Sequence, residues 1–202
     1  MLSLEEGNFL IKLARSSVEK YFQRGEFVKE KIKKKKFNEN RGVFVTIETF
    51  PEKNLRGCIG FPHPVLPLYE AIQRAATSSA FEDPRFPPIE KDELSKIIFE
   101  ISVLTEPELI KAKSSKEYPK KIKIGRDGLI IQSGSFSGLL LPQVPVEYKW
   151  TAQEFLENLC LKAGLTPDYI HDKSTKIWKF QAQIFSEEKP GGKVVESTKH
   201  AC

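Results

Sequence analysis

The residues of this chain best suited to chemistry are Leu55-Arg56-Gly57-Cys58-Ile59-Gly60, where a thiol and a guanidinium stand one residue apart between glycines. In an extended chain, side chains alternate, so Leu55, Gly57 and Ile59 share one face and Arg56 and Cys58 the other. A guanidinium beside a thiol favours the thiolate and lowers its pKa from a free value of roughly 8.5. Cys58 then reads as a nucleophile or redox thiol, and Arg56 as its electrostatic activator and anion holder. Gly57 and Gly60 let the backbone approach a ligand or another segment and so form part of a substrate wall. The same residues admit a plainer account. Cysteine packs as a small hydrophobe, and the glycines serve a bulge or a tight turn.

Further candidates follow in the chain. His63 comes five residues after Cys58, and a Cys/His couple is the minimal activated-thiol arrangement; between Pro62 and Pro64 it also reads as an exposed loop histidine. The third group of such a site is an orienting carboxylate, Asp83 or Glu82, and Asp83 before Pro84 equally suits a turn. Arg85 is placed to clamp an anionic substrate or to pair with Asp83 or Glu82. Phe86 walls the same loop. Cys160 falls on the apolar face of a helix and reads as core. The three cysteines are too far apart for a disulfide framework, and no C-x-x-C or H-x-x-x-H spacing offers a metal site. No phosphate loop, dinucleotide fingerprint or hydrolase elbow is present, so no cofactor is expected.

These residues need elements to hold them. Leu4 to Phe22 has helical spacing through Phe9, Leu10, Leu13, Ser17, Val18 and Tyr21. Val43 to Ile47 reads as a strand before the hexapeptide. Leu68 to Ala80 reads as a helix buried through Leu68, Ile72, Ala75 and Ala76, and Asp83 to Pro88 as a rigid loop. Ile97 to Leu104 alternates as a strand with one wetter face. Gly125-Arg126-Asp127-Gly128 signals a hairpin turn, and Thr151 with Glu154 a capping box opening a helix to Ala163. Ile177 to Phe185 reads as the last strand, followed by a loose polar tail.

With 202 residues, 40% hydrophobic and 29% charged, the composition is that of a soluble globular protein. No apolar run approaches the roughly 20 residues that span a bilayer, and the charged N-terminal helix is no signal peptide. The expected setting is a reducing cytoplasm. Net charge is +5, and the excess is local: six of the eight residues from Lys29 to Lys36 are lysine, and six more lysines lie between Lys111 and Lys123. Such runs could meet phosphate, but the interleaved aromatics and arginines of a nucleic-acid face are missing, so a solvated surface is the favoured reading over RNA.

Shifting the first half by 81 positions aligns Gly57 with Gly138, Tyr69-Glu70-Ala71 with Trp150-Thr151-Ala152, and Phe99 with Phe180. The expected fold is therefore α+β: two related β-α-β repeats, about 43–106 and 124–187. They would share one curled, barrel-like, mainly antiparallel sheet with helices outside. A single domain of residues 1–190 would precede a polar tail of residues 191–202.

The hexapeptide resembles the signature of the AMMECR family, named after the Alport syndrome, midface hypoplasia and elliptocytosis chromosomal region. Ser79-Ala80-Phe81, Asp83-Pro84-Arg85-Phe86-Pro87-Pro88, Glu100-Ile101-Ser102-Val103-Leu104 and Leu140-Leu141-Pro142-Gln143-Val144 extend the resemblance in order. Gly125-Arg126-Asp127-Gly128-Leu129 and Lys162-Ala163-Gly164-Leu165 belong to it too, and only the lysine-rich segment near Lys31 looks private. The resemblance implies a two-repeat fold, an intracellular protein of unestablished activity, and association with Memo-type or radical-SAM proteins. It also implies that Cys58 lies in a functional site. Together these give an expected enzyme or enzyme component, monomer or homodimer, acting on a small anionic or peptide substrate; the alternatives are a binding or adaptor module and an RNA-associated protein.

Overall fold

Ser3 starts helix α1 (Leu4–Arg24): its hydroxyl accepts from the Glu6 N–H while the Glu6 carboxylate accepts from the Ser3 N–H. Helices α2 (Leu68–Phe81), α3 (Val144–Glu147) and α4 (Ala152–Lys162) follow. The strands are β1 (Val43–Thr49), β2 (Leu55–Phe61), β3 (Ile97–Leu104), β4 (Glu108–Leu109), β5 (Gly128–Ser133), β6 (Phe136–Leu140), β7 (Lys176–Phe180), β8 (Ala182–Glu187) and β9 (Val194–Ser197). This computed structural model describes residues 1–197, in two compact units. Of the described residues, the first comprises 1–104 and 183–197, the second Thr105–Ala182.

The expected α+β character holds, with antiparallel ladders and helices, but the single curled sheet does not. The strands form two sheets, ordered β2-β1-β3-β8-β9 and β4-β7-β5-β6, and neither closes among the described residues. The expected strand from Ile177 to Phe185 breaks at Gln181, which separates β7 from β8. Gln181 donates to Thr105 Oγ1 at 2.9 Å and accepts from the Thr105 N–H at 2.8 Å. Its backbone groups thus close a local pair instead of prolonging a ladder.

In the first unit, Val43, Val45 and Ile47 of β1 and Phe99, Ile101 and Val103 of β3 pack against α1 and α2. The helices supply Leu10, Ile11, Ala14 and Val18, and Leu68, Ile72, Ala75 and Ala76. Each large aliphatic side chain buried there contributes about 1.5–3 kcal/mol. Phe9, expected in the buried stripe of α1, is exposed and stacks on Phe37 at 5.2 Å. The expected wetter face of β3 is dry: every residue of that strand is buried, Glu100 and Ser102 included. The expected loose tail also differs, because β9 pairs antiparallel with β8 and sends Val194 into the core. Cys202 lies outside the described residues.

In the second unit, β5 pairs with β6 and β7, and Leu129, Ile131 and Ile177 pack on Phe155, Leu156, Leu159 and Cys160. The Thr151–Glu154 capping box opens α4 as its spacing requires. The hairpin turn lies at Gly134-Ser135, not at Gly125 to Gly128. There the Asp127 carboxylate instead accepts from the Lys123 N–H and pairs with Arg126, closing a turn before β5.

Helix α2 docks on β2 at backbone contact. A Cβ at position 57 would stand 2.1 Å from the Ser79 carbonyl oxygen. Gly57→Ala must therefore push α2 away from β2 at a cost of about 3 kcal/mol or more. Urea unfolding should show a lower midpoint with an unchanged slope; a midpoint equal to that of the natural protein would refute the contact.

Candidate functional site

Three side chains of one sheet face lie in a row across β2, β1 and β3. Cys58 stands opposite Thr46, and Thr46 opposite Glu100. Gly57 turns toward α2, so Cys58 turns to the other face of the sheet. The Thr46 hydroxyl donates to Cys58 Sγ at 3.5 Å. Thr46 is buried, Glu100 is 5% exposed, and Cys58 is half-buried. Glu48 follows on the same face of β1, buried, and burial pushes its carboxyl above the usual range.

The backbone of Cys58 is clamped by the loop after α2. Its N–H donates to Asp83 Oδ2 at 2.8 Å, and its carbonyl accepts from Arg85 Nη2 at 3.1 Å. Asp83 also accepts from Arg85 Nε and Nη2, at 3.0 and 2.8 Å, and from the Arg85 N–H at 3.1 Å. The Arg85 guanidinium, then the Cys58 N–H, hold the Asp83 carboxyl well below the usual carboxylate range despite its burial. Arg85 remains half-exposed, with its guanidinium 5.5 Å above the Phe86 ring. The Ser79 hydroxyl joins the two strands, accepting from the Ile59 N–H at 2.8 Å and donating to the Val45 carbonyl at 2.7 Å. Gly60 serves packing, since a Cβ there would stand 2.3 Å from the Val43 carbonyl and 2.4 Å from the Phe44 ring.

Arg56 is where simple alternation misleads. The β1–β2 register shifts between Ile47 and Glu48, which face Gly57 and Leu55, so Arg56 is the extra residue of a bulge. A bulge re-aims the side chain it carries. The guanidinium binds Glu93 through Nε at 2.8 Å and Nη2 at 3.1 Å. Its Nη1 and Nη2 reach the Pro87 and Pro88 carbonyls at 2.8 and 3.3 Å. These bonds brace the 83–93 loop. His63 lies exposed in the bend beyond β2. Cys58, Asp83, Arg85 and Phe86 are thus gathered at one place, with Arg56 behind the loop and His63 outside the strand.

Thr46, Glu48 and Glu100 were not among the sequence candidates. The signal was there, in polar residues alternating with aliphatics along both strands, but their neighbours depend on register. Among the described residues, no three His, Cys, Asp or Glu side chains form a metal-binding group. Cys160 is fully buried, which pushes its thiol up to about 11. The first lysine run is partly neutralised: Lys34 and Lys36 pair with Glu6 at 3.0 and 2.7 Å, and Lys29 pairs with Glu70. Among the described residues, no helix is long and apolar enough to cross a membrane.

A family model described as AMMECR1 matches residues 11–185. Protein MJ0810 of Methanocaldococcus jannaschii is 54% identical over 196 residues, 97% of either chain. Protein MK0488 of Methanopyrus kandleri is 50% identical, covering 96% of this chain and 95% of its own. The crystal structure of the uncharacterized protein PH0010 from Pyrococcus horikoshii superposes with a TM-score of 0.84 at 49% identity, over 95% of this chain and 96% of that one.

Because the Asp83 carboxyl is lowered by folding, its stabilising effect is complete above the unfolded value of roughly 3.9 and is lost as pH falls below it. Asp83→Asn should cost about 2–3 kcal/mol at neutral pH. It should also flatten the acid limb of a stability–pH curve, leaving the part due to Glu6, whose carboxyl is held at about 2 by Lys36 and the Ser3 N–H. An unchanged acid limb in urea melts from pH 6 to 3 would contradict this.

Proposed function

For this chain, which belongs to the AMMECR1 family, we propose a thiol-dependent enzyme, or a component of one, working through Cys58. The observation that carries the proposal is the row Cys58–Thr46–Glu100, polar groups held on a buried sheet face where hydrocarbon would be cheaper. Cys58 is the nucleophile or redox thiol. The Thr46 hydroxyl donates to its sulfur, which favours the thiolate. Glu100, next in the row, receives the thiol proton by way of that hydroxyl. Arg85 and Phe86, at the rim, hold a small anionic or peptide substrate, and Asp83 fixes Arg85 against the Cys58 backbone. Arg56 positions the loop, Gly57 and Gly60 shape the strand, and His63 is left for substrate contact outside it.

The engagement of Arg56 by Glu93 and two carbonyls also suits a binding or adaptor module, in which the hexapeptide only secures a surface loop. The pairing of Lys34 and Lys36 with Glu6 weighs against RNA. A cytoplasmic setting and partnership with a Memo-type or radical-SAM protein belong to the same proposal by family resemblance.

The two halves also read as a duplication. Each is a hairpin, a helix and a third strand, with the first hairpin strand central: β2-β1-β3 around α2, and β6-β5-β7 around α4. Gly138 lies against Ala163 as Gly57 lies against Ser79.

Iodoacetamide labelling of the folded protein tests the thiol. Cys58 should label with an inflection below 8.5, rising by roughly half a unit or more in Thr46→Val. Glu100→Gln should slow labelling several-fold at neutral pH. No labelling of Cys58, an inflection at or above 8.5, or faster labelling in Glu100→Gln would each end this assignment. Cys58→Ser without effect, beside an Arg85→Ala variant that loses a partner, would favour the adaptor.

A further inference from the structure

The second lysine run builds a cleft that the thiol site does not use. The chain from Glu108 runs antiparallel to β7, with Glu108 opposite Lys179 and Leu109 opposite Trp178, and the Ile110 N–H donates to the Ile177 carbonyl at 2.8 Å. Ile110 and Ile122 are buried in the core of the second unit and anchor the two ends of the intervening loop. The lysines between them are left at the surface. Lys121 folds back, donates to the Lys111 carbonyl and pairs with Glu117 at 3.5 Å. The result is a cleft of about 470 Å³, lined by Lys111, Lys113, Lys121, Lys176, Tyr118 and Thr175 among others. A second cleft of about 540 Å³ shares Lys111 and Lys121 and adds Lys179 and Glu108. Five lysines face two glutamates across the pair. No carboxylate among the described residues pairs with Lys111, Lys113 or Lys176.

One group in this cleft is independent of the lysines. Thr175 is only 7% exposed, and its buried hydroxyl has no hydrogen-bond partner. Buried hydroxyls in folded proteins are nearly always paired, so an orphan one just behind a cleft wall is a donor that rotation of the Thr175 side chain can turn to a ligand atom. Lysine ammonium groups and a hydroxyl are a phosphate-binding set, and the cleft volume is that of a small-molecule site. Tyr118 offers a flat surface beside it.

We propose that the second unit carries a binding site for a small, multiply charged phosphate compound, in which the ammonium groups of Lys111, Lys113 and Lys176, and Thr175 Oγ1 once its side chain rotates toward the cleft, contact phosphoryl oxygens. Pyrophosphate supplies the shared chemistry alone. ATP adds a nucleoside able to lie on Tyr118, so comparing the two separates a polyphosphate site from a nucleotide site.

The experiment is calorimetric titration of the full chain with pyrophosphate and, separately, ATP, with sodium sulfate as a control anion. Saturable binding at one site is expected, weakening as salt rises. Thr175→Val, which keeps the shape and removes the hydroxyl, should weaken it roughly fivefold to tenfold. Lys111→Gln with Lys113→Gln should weaken it tenfold or more, whereas Lys116→Gln and Lys120→Gln, in the same run but outside the cleft, should leave it unchanged. ATP binding more tightly than pyrophosphate would assign the nucleotide; equal affinities would assign the polyphosphate. The proposal is overturned by a lack of saturation with either probe, by equal affinity for sulfate, or by equal losses in all the lysine variants. It is also overturned if Thr175→Val stays folded by circular dichroism and binds as before, since the hydroxyl would then take no part in binding.

Discussion

Helix α2 meets strand β2 at backbone distance because residue 57 has no side chain, and much of the first unit follows from that approach. With the Ser79 carbonyl close to Gly57, the Ser79 hydroxyl accepts from the Ile59 N–H of β2 and donates to the Val45 carbonyl of β1. The helix therefore ends at a fixed place, and Asp83, two residues beyond it, arrives at the Cys58 N–H. Arg85 follows and binds both Asp83 and the Cys58 carbonyl. A missing Cβ thus fixes the position of a loop and, through the loop, of the thiol-bearing residue.

Electrostatics sorts the acidic groups around this strand into two kinds. Asp83 is buried yet anionic, because a guanidinium and two N–H groups surround it. Glu48 is buried with burial as its dominant influence, and its proton is held more tightly. Such separation of carboxyl groups by environment accompanies functional sites, although structural networks also produce it. Thr46 lies between Cys58 and Glu100 in the row, and its hydroxyl donates to the Cys58 sulfur.

What was legible in the chain was mostly local. Thr151 with Glu154 announces the helix it caps, because a capping box closes within four residues. Leu68, Ile72, Ala75 and Ala76 give away the buried face of α2 by spacing alone, and Cys160 could be placed in the core in the same way. Most of the misreadings are long-range. The bulge at Arg56 depends on how β1 meets β2. The break at Gln181 depends on Thr105, 76 residues away. The dryness of Glu100 and the pairing of β9 depend on which surfaces the fold brings together, and alternation in one strand cannot report them. The thiol was found from its motif, but its neighbours Thr46 and Glu100 come from register.

Strand β2 lies at the border of its sheet, where backbone groups ordinarily point into solvent and invite another chain. Here the outward N–H and C=O of Cys58 are occupied by a carboxylate and a guanidinium from the same molecule, and the segment carrying them is pinned from behind at Glu93. The border is thereby closed to foreign strands over the stretch that contains the thiol. The side chains that clamp the Cys58 backbone thus also guard this margin of the sheet against edge-to-edge pairing with another chain.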